Sequence, residues 1–244
     1  VTGGAATWDE GFDLTALTAA NAADALMVMA YDLNWSGSSR AGGVAPIDSP
    51  YALDVRTAMA DFRAKVPSNQ LIWGVPYYGR AWTTTGSTVN GRTCHAMGSC
   101  TAASWSFRYD DAVVAAAAKG RRWDSVGQVP WYTYWSSTYD AHVQSYYDDA
   151  SSLDVKHEMI RANGLRGVGI WHLTMDEARR ELVGLNYAEA VQSPLGLSTG
   201  DALGYVSYFA ELLDEWAQEA DADERLYRLG ASMLNALSAG APAE

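Results

Sequence analysis

Apolar positions in the first part of the chain fall into two alternating kinds of segment, one spaced like a helix face and one continuous. Leu14, Leu17 and Ala20 recur at helical intervals and predict a helix over 14–23. Residues 25–32, Ala-Leu-Met-Val-Met-Ala-Tyr-Asp, form a short apolar run closing on two polar side chains, the pattern of a strand buried in a parallel sheet. The unit then recurs. Val55, Met59, Phe62 and Val66 share one face of a predicted helix over 51–66, which Pro67 stops. A second buried strand covers 71–80. Further on, Ser151 with Asp154 makes a start like a capping box, with Asp where Glu or Gln is usual. Leu153, Met159 and Ile160 supply that helix's apolar face, Gly164 is placed to end it, and 167–173 is the third strand. Helix followed by strand, repeated, predicts a parallel α/β sheet with helices outside.

The stretch from Ala81 to Tyr146 is too long for a simple connection. Its Thr-rich extended segment 82–89, Ala-rich helix 110–119 and aromatic strands 128–135 and 142–147 predict an inserted α+β subdomain. After Asp176 a further outer helix is expected over 177–191. Beyond it, Leu203, Val206, Ala210, Leu213 and Ala217, then Leu226, Leu229, Met233 and Leu237, predict a helical hairpin packed on the domain or docked to a partner. Four regions result: 1–80 with two units, 81–147 the insertion, 148–194 the last unit, and 195–244 a helical C-terminal extension.

Charge narrows the partners. Seventeen basic against 29 acidic residues give a net charge of −12, which argues against nucleic acid, whose phosphates are held by clustered Lys and Arg. The apolar runs are too short and interrupted to span a membrane. Ten Trp and 14 Tyr stand against 4 Phe, the balance of a surface that stacks on a ligand yet stays wet, or of a Trp-rich core. Cys94 and Cys100 lie six apart in a Gly/Ser/Thr-rich loop; they suit a disulfide in an oxidising compartment, two free thiols, or, with His95, half a zinc site lacking its second ligand pair. No metal or cofactor is expected. Val1-Thr2-Gly3-Gly4 shows neither the charged nor the apolar region of a signal peptide and reads as the interior of a longer protein. Asn34-Trp35-Ser36 is a formal glycosylation sequon.

All three strands end in reactive or stacking side chains: Tyr31 and Asp32, Tyr78 and Arg80, Trp171. In a β/α barrel the active site gathers at such ends. Met29-Ala30-Tyr31-Asp32, Gly74-Val75-Pro76-Tyr77-Tyr78-Gly79-Arg80, Tyr147-Asp148-Asp149 with Ser152 and Lys156, and Gly167-Val168-Gly169-Ile170-Trp171 together resemble the family 18 glycoside hydrolases, the chitinases and their relatives, over roughly residues 13–176. The resemblance implies the C-terminal part of a TIM (β/α)8 barrel, strands six to eight, with the inserted subdomain and the helical extension. It also implies a retaining hydrolase of β-1,4-linked N-acetylglucosamine glycans, chitin or peptidoglycan, in which the substrate's own acetamido group is the nucleophile. By analogy, Tyr31 hydrogen-bonds the attacking acetamido oxygen and Asp32 favours the developing cation. Trp171 floors the −1 sugar, Tyr78 and Arg80 hold sugar or acid cluster, and Met29 lines the pocket. Trp35, Trp82 and Trp135 are candidates for outer subsites.

The sequence departs from the family in one respect. The family's acid is the Glu of an Asp-x-x-Asp-x-Asp-x-Glu run, and no such run occurs here. With about 30 residues per barrel unit, five earlier units are expected ahead of Val1. Two other readings stand beside hydrolysis: a lectin-like glycan binder that keeps Tyr31, Asp32 and Trp171 but has lost the acid, and a barrel scaffold in a cell-surface assembly. The expected partners are an N-acetylglucosamine polysaccharide and a protein that docks the C-terminal helices or supplies the absent barrel half. The expected location is extracellular or the cell surface.

Overall fold

A computed structural model describes residues 1–8, 11–20, 22–176, 179–183 and 185. Two short helices, α1 (Ala5–Trp8) and α2 (Leu14–Leu17), precede β1 (Leu26–Val28), α3 (Val55–Lys65) and β2 (Leu71–Pro76). The insertion follows as β3 (Tyr78–Thr84), α4 (Cys94–Met97), β4 (Ser104–Arg108), α5 (Tyr109–Lys119), β5 (Arg122–Asp124), β6 (Val129–Ser136) and β7 (Ala141–Tyr146). The chain then forms α6 (Ala150–Ala162) and β8 (Gly167–Trp171). No described helix is long and apolar enough to cross a membrane. The helix expected over 177–191 falls largely outside the described residues, and the hairpin over 195–244 wholly so.

β1, β2 and β8 form a parallel sheet in that order, with Val28 beside Trp73 and Trp73 beside Val168. These three belong to one apolar cluster with Phe62 of α3, whose ring meets Trp73 edge-on at 6.1 Å. The alternate residues Met27, Ile72, Gly74, Gly169 and Trp171 therefore share the opposite face. Val1 and Thr2 extend this sheet on the free side of β1: Thr2 pairs in parallel with Met29, and Met29 N donates to Val1 O at 2.8 Å.

Several boundaries differ from the sequence expectation, each for a local reason. The helix expected over 14–23 is only α2, because the Thr18 hydroxyl donates to Leu14 O and ends it within a turn. β1 stops at Val28, and the chain bends so that Asp32 takes φ +56°, a left-handed conformation that short polar Asp tolerates. α3 starts at Val55 because the Asp54 carboxylate accepts from Thr57 N at 2.7 Å. The capping box of α6 is built by Asp149 and Ser152, not by Ser151 and Asp154. Gly164 takes φ +61° just past the end of that helix.

The run 71–80 is two strands. Tyr77 N donates to Trp171 O at 2.7 Å, the last bond to the parallel sheet, and Tyr77 O accepts from Tyr109 N at 3.1 Å. From Tyr78 the chain belongs to an antiparallel sheet of order β4-β3-β7-β6-β5. One face of that sheet takes up α5, whose Tyr109, Ala112 and Ala116 pack with Tyr132 and Tyr147. Cys94 and Cys100 form a disulfide that closes the loop beside α4. Where β7 gives way to α6, Asp148 and Lys156 make an ion pair with both side chains at most 1% exposed.

Candidate active site

Tyr31 leaves β1 on the face away from α3, the face that also carries Gly74 and Trp171. Its ring stacks on Trp171 at 6.5 Å between centroids with 27° between planes, and meets Tyr78 edge-on at 6.2 Å. Gly74 is what admits the ring. A Cβ there would lie 2.6 Å from Val28 O and 3.0 Å from Tyr31 Cε1, so any side chain would push the phenol out of place. In the sequence Gly74 is one member of a motif; the close approach is tertiary, and no local signal announces it.

Asp32 projects into the same space through its left-handed backbone. Tyr78 Oη donates to Asp32 Oδ1 at 2.8 Å, and Arg80 Nη2 stands 3.8 Å from the same oxygen. Tyr78 and Arg80 are alternate residues of β3, so they point from one face of the insertion sheet back to the loop after β1. The strand that changes sheets at Tyr77 thus delivers both partners of the carboxylate. Burial raises the phenol pKa of Tyr31 above its ordinary value, and the negative charge of Asp32 adds to it. Tyr78 is raised much further by the same two causes together with its hydrogen bond to Asp32. Both phenols are proton donors across the whole neutral range.

Trp171 is half exposed, at 51%, with its indole open to solvent beyond the Tyr31 contact. Its peptide bond to His172 is cis, and the His172 ring meets the indole edge-on at 5.7 Å. Burial and the nearby Arg108 charge lower the His172 pKa. Nothing in the local sequence marks His172. Met29, two residues before Tyr31, is 38% exposed.

The three outer tryptophans divide. Trp35 and Trp135 are exposed, at 58% and 56%, the latter with its edge against His142. Trp82 is 1% exposed, packs on Tyr146, and donates from Nε1 to Trp35 O at 3.0 Å. Its ring offers no face to a sugar; it is core beneath the Trp35 loop. Asn34, the sequon residue, is likewise buried, with Nδ2 donating to Gly43 O at 2.8 Å, so its amide is closed to glycosylation in the folded chain.

This cleft can do a definite kind of chemistry. A phenol held firmly as donor, a carboxylate oriented by a second phenol and a guanidinium, and an open indole floor suit a neutral polar group stacked on an apolar ring while positive charge develops beside it.

Comparison with known proteins points the same way. Residues 1–176 match the family Glycosyl hydrolases family 18, and residues 197–244 match a second family, Recombination protein O C terminal. Chitinase A1 of Niallia circulans is 28% identical over 194 residues, covering 71% of this chain and 27% of that protein. A putative sporulation-specific glycosylase, YdhD, of Bacillus subtilis strain 168 is 27% identical over 168 residues, covering 69% of this chain and 36% of the other. Among solved structures, a chitinase from Rhizomucor miehei superposes with a TM-score of 0.60 at 24% identity, covering 70% of this chain and 54% of that one. The chain therefore spans about a quarter to a third of the length of these two curated relatives.

Proposed function

The chain belongs to the glycosyl hydrolases of family 18, and from that premise we propose that the cleft of Tyr31, Asp32, Tyr78, Arg80 and Trp171 is the −1 sugar site of a hydrolase acting on β-1,4-linked N-acetylglucosamine glycans. On this reading β1, β2 and β8 are the sixth, seventh and eighth staves of a β/α barrel, with the active site at their carboxyl ends. The sugar lies over the Trp171 indole with its 2-acetamido group turned toward Tyr31 and Asp32.

The acetamido oxygen attacks the anomeric carbon as the glycosidic C–O bond breaks, and the leaving oxygen takes a proton from a general acid. Tyr31 donates a hydrogen bond to the attacking oxygen and holds it in line. Asp32, oriented by Tyr78 and Arg80, faces the positive charge that spreads over the oxazolinium ring. Water then opens the ring at the anomeric carbon and returns a proton to the acid's conjugate base, so configuration is retained. The acid is assigned to a Glu outside these 244 residues, since no Asp-x-x-Asp-x-Asp-x-Glu run occurs among them. Trp35 and Trp135 extend the glycan path as outer platforms. The disulfide suits a protein at work outside the cell.

The observation that carries this reading is the 2.8 Å bond from Tyr78 to Asp32 beside the Tyr31–Trp171 stack, since it joins residues from three separate elements around one space. The test is Tyr31→Phe in the full-length protein, assayed by steady-state release from an aryl chitobioside. Turnover is expected to fall on the order of 10²-fold, the scale of lost in-line positioning, with KM little changed. Unchanged turnover would remove Tyr31 from the chemistry. Binding of chito-oligosaccharide with no release by the unmodified protein would replace hydrolysis by glycan binding.

A further inference from the structure

Gln144 is wholly buried on β7, two strands from the edge of the insertion sheet, and every hydrogen-bonding position of its carboxamide is used. Nε2 donates to Gly86 O at 2.9 Å and to Thr88 O at 2.6 Å. Oε1 accepts from Gly91 N at 3.2 Å and from Tyr146 Oη at 3.3 Å. Two donors and two lone pairs, all engaged, allow the amide one orientation and fix three points of the irregular loop 86–93. The other side of that loop carries the segment after Asp32. Ala41 N donates to Gly91 O at 2.9 Å, Arg40 Nη1 to Asn90 O at 2.9 Å, Thr93 N to Ser39 O at 3.0 Å and Thr93 Oγ1 to Ser38 O at 2.8 Å. Ser38 in turn grips Trp35: Ser38 N donates to Trp35 O at 3.0 Å, and Trp35 N donates to Ser38 Oγ at 2.9 Å.

We propose that Gln144 is a positioning residue for the loop that carries Trp35, and thereby sets how tightly the protein holds glycans extending beyond the first sugar. This rests on the reading of Trp35 as an outer platform. The chain of contacts is continuous, from the carboxamide through loop 86–93 and residues 38–41 to Trp35, and its first link has no slack. A Cβ on Gly91 would stand 2.5 Å from Gln144 Nε2, so the carboxamide and the loop backbone are in direct contact. Losing the carboxamide strips Thr88 O and Gly91 N of these bonds and leaves Gly86 O only Thr84 Oγ1 at 2.8 Å, so the loop must rearrange to find water.

The test compares Gln144→Leu, Gly91→Ala and Trp35→Ala in the full-length protein, on an aryl chitobioside and on a long chito-oligosaccharide. Amide hydrogen exchange at Ala41, Gly91 and Thr93 is followed in parallel. All three variants are expected to raise KM for the long substrate roughly three- to tenfold, the worth of one aromatic contact. In Gln144→Leu and Gly91→Ala the short substrate's KM and both kcat values should stay within about twofold, as for a loss of uniform binding. Exchange should quicken in Gln144→Leu and Gly91→Ala but not in Trp35→Ala. Should Gln144→Leu fail to fold, Gly91→Ala displaces the same carboxamide by crowding and decides the matter. The proposal is overturned if Trp35→Ala raises the long-substrate KM while the folded loop variants leave it and the exchange unchanged, or if the loop variants alter both substrates alike. If Trp35→Ala itself has no effect, the outer-platform reading fails instead, and quickened exchange at Ala41 and Thr93 in the loop variants still supports the positioning role.

Discussion

Tyr78→Phe removes one oxygen and keeps the ring, so its edge contact with Tyr31 at 6.2 Å survives while the 2.8 Å bond to Asp32 is lost. A hydrogen bond to an ionised group contributes about 1.5–3 kcal/mol. The Asp32 side chain is 52% exposed, so water substitutes in part. The lower end of that range applies, about 1.5 kcal/mol, or roughly tenfold in rate where the carboxylate serves the transition state. Arg80 keeps the carboxylate within the cleft at 3.8 Å but does not fix its rotation. The expected outcome with an aryl chitobioside is kcat about tenfold lower with KM within about twofold. A double-mutant cycle supplies the stricter check: with Asp32→Asn already in place, Tyr78→Phe should cost little more, because the two act as a unit. Independent, additive losses, or a kcat unaffected by Tyr78→Phe alone, would show that the phenol does not work through Asp32.

Lys156→Met strips the counter-ion from Asp148, whose Oδ2 already lacks a hydrogen-bond partner. Urea unfolding should show a loss of about 3–5 kcal/mol, while Asp148→Leu combined with Lys156→Met should recover much of it. A single variant as stable as the parent would refute that account. Alkaline unfolding is the next expectation. Burial pushes Tyr147 up to about 12 and Tyr146 above its ordinary value, whereas an unfolded phenol titrates near 10. A folded-state pKa raised in this way gives stability that is full below pH ~10 and drains away between there and about 12. Denaturant curves that stay flat from pH 9 to beyond 11 would contradict it.

The helix–strand units were legible because strands of a parallel sheet covered by helices run as continuous apolar stretches, as at β1, β2 and β8, while α3 and α6 keep apolar residues on one face. What the pattern could not show was where hydrogen bonding changes partners. Residues 71–80 read as one strand because the apolar run continues unbroken through Tyr77, and nothing in its composition marks the passage from parallel to antiparallel pairing. Trp35 and Trp82 illustrate the same limit. Both follow a strand-like segment and look alike locally, yet one is exposed and the other is covered by the loop that bears the first. Tyr31, Asp32, Tyr78, Arg80 and Trp171 stood out because each sits at the end of an apolar run. Gly74 and Gln144 did not, since a missing side chain and a buried amide act only through residues distant in sequence.

Tyr77 makes the insertion more than an appendage. Its N–H belongs to the parallel sheet through Trp171 O, and its carbonyl belongs to the insertion through Tyr109 N. One residue later, Tyr78 reaches Asp32. The insertion is further tied to the loop after Asp32 by the hydrogen bonds of Ala41, Arg40 and Thr93. The cleft's electrostatics then follow from the backbone path of β2 into β3, which is why two side chains of an inserted sheet can serve a carboxylate in the loop after β1 of the parallel one.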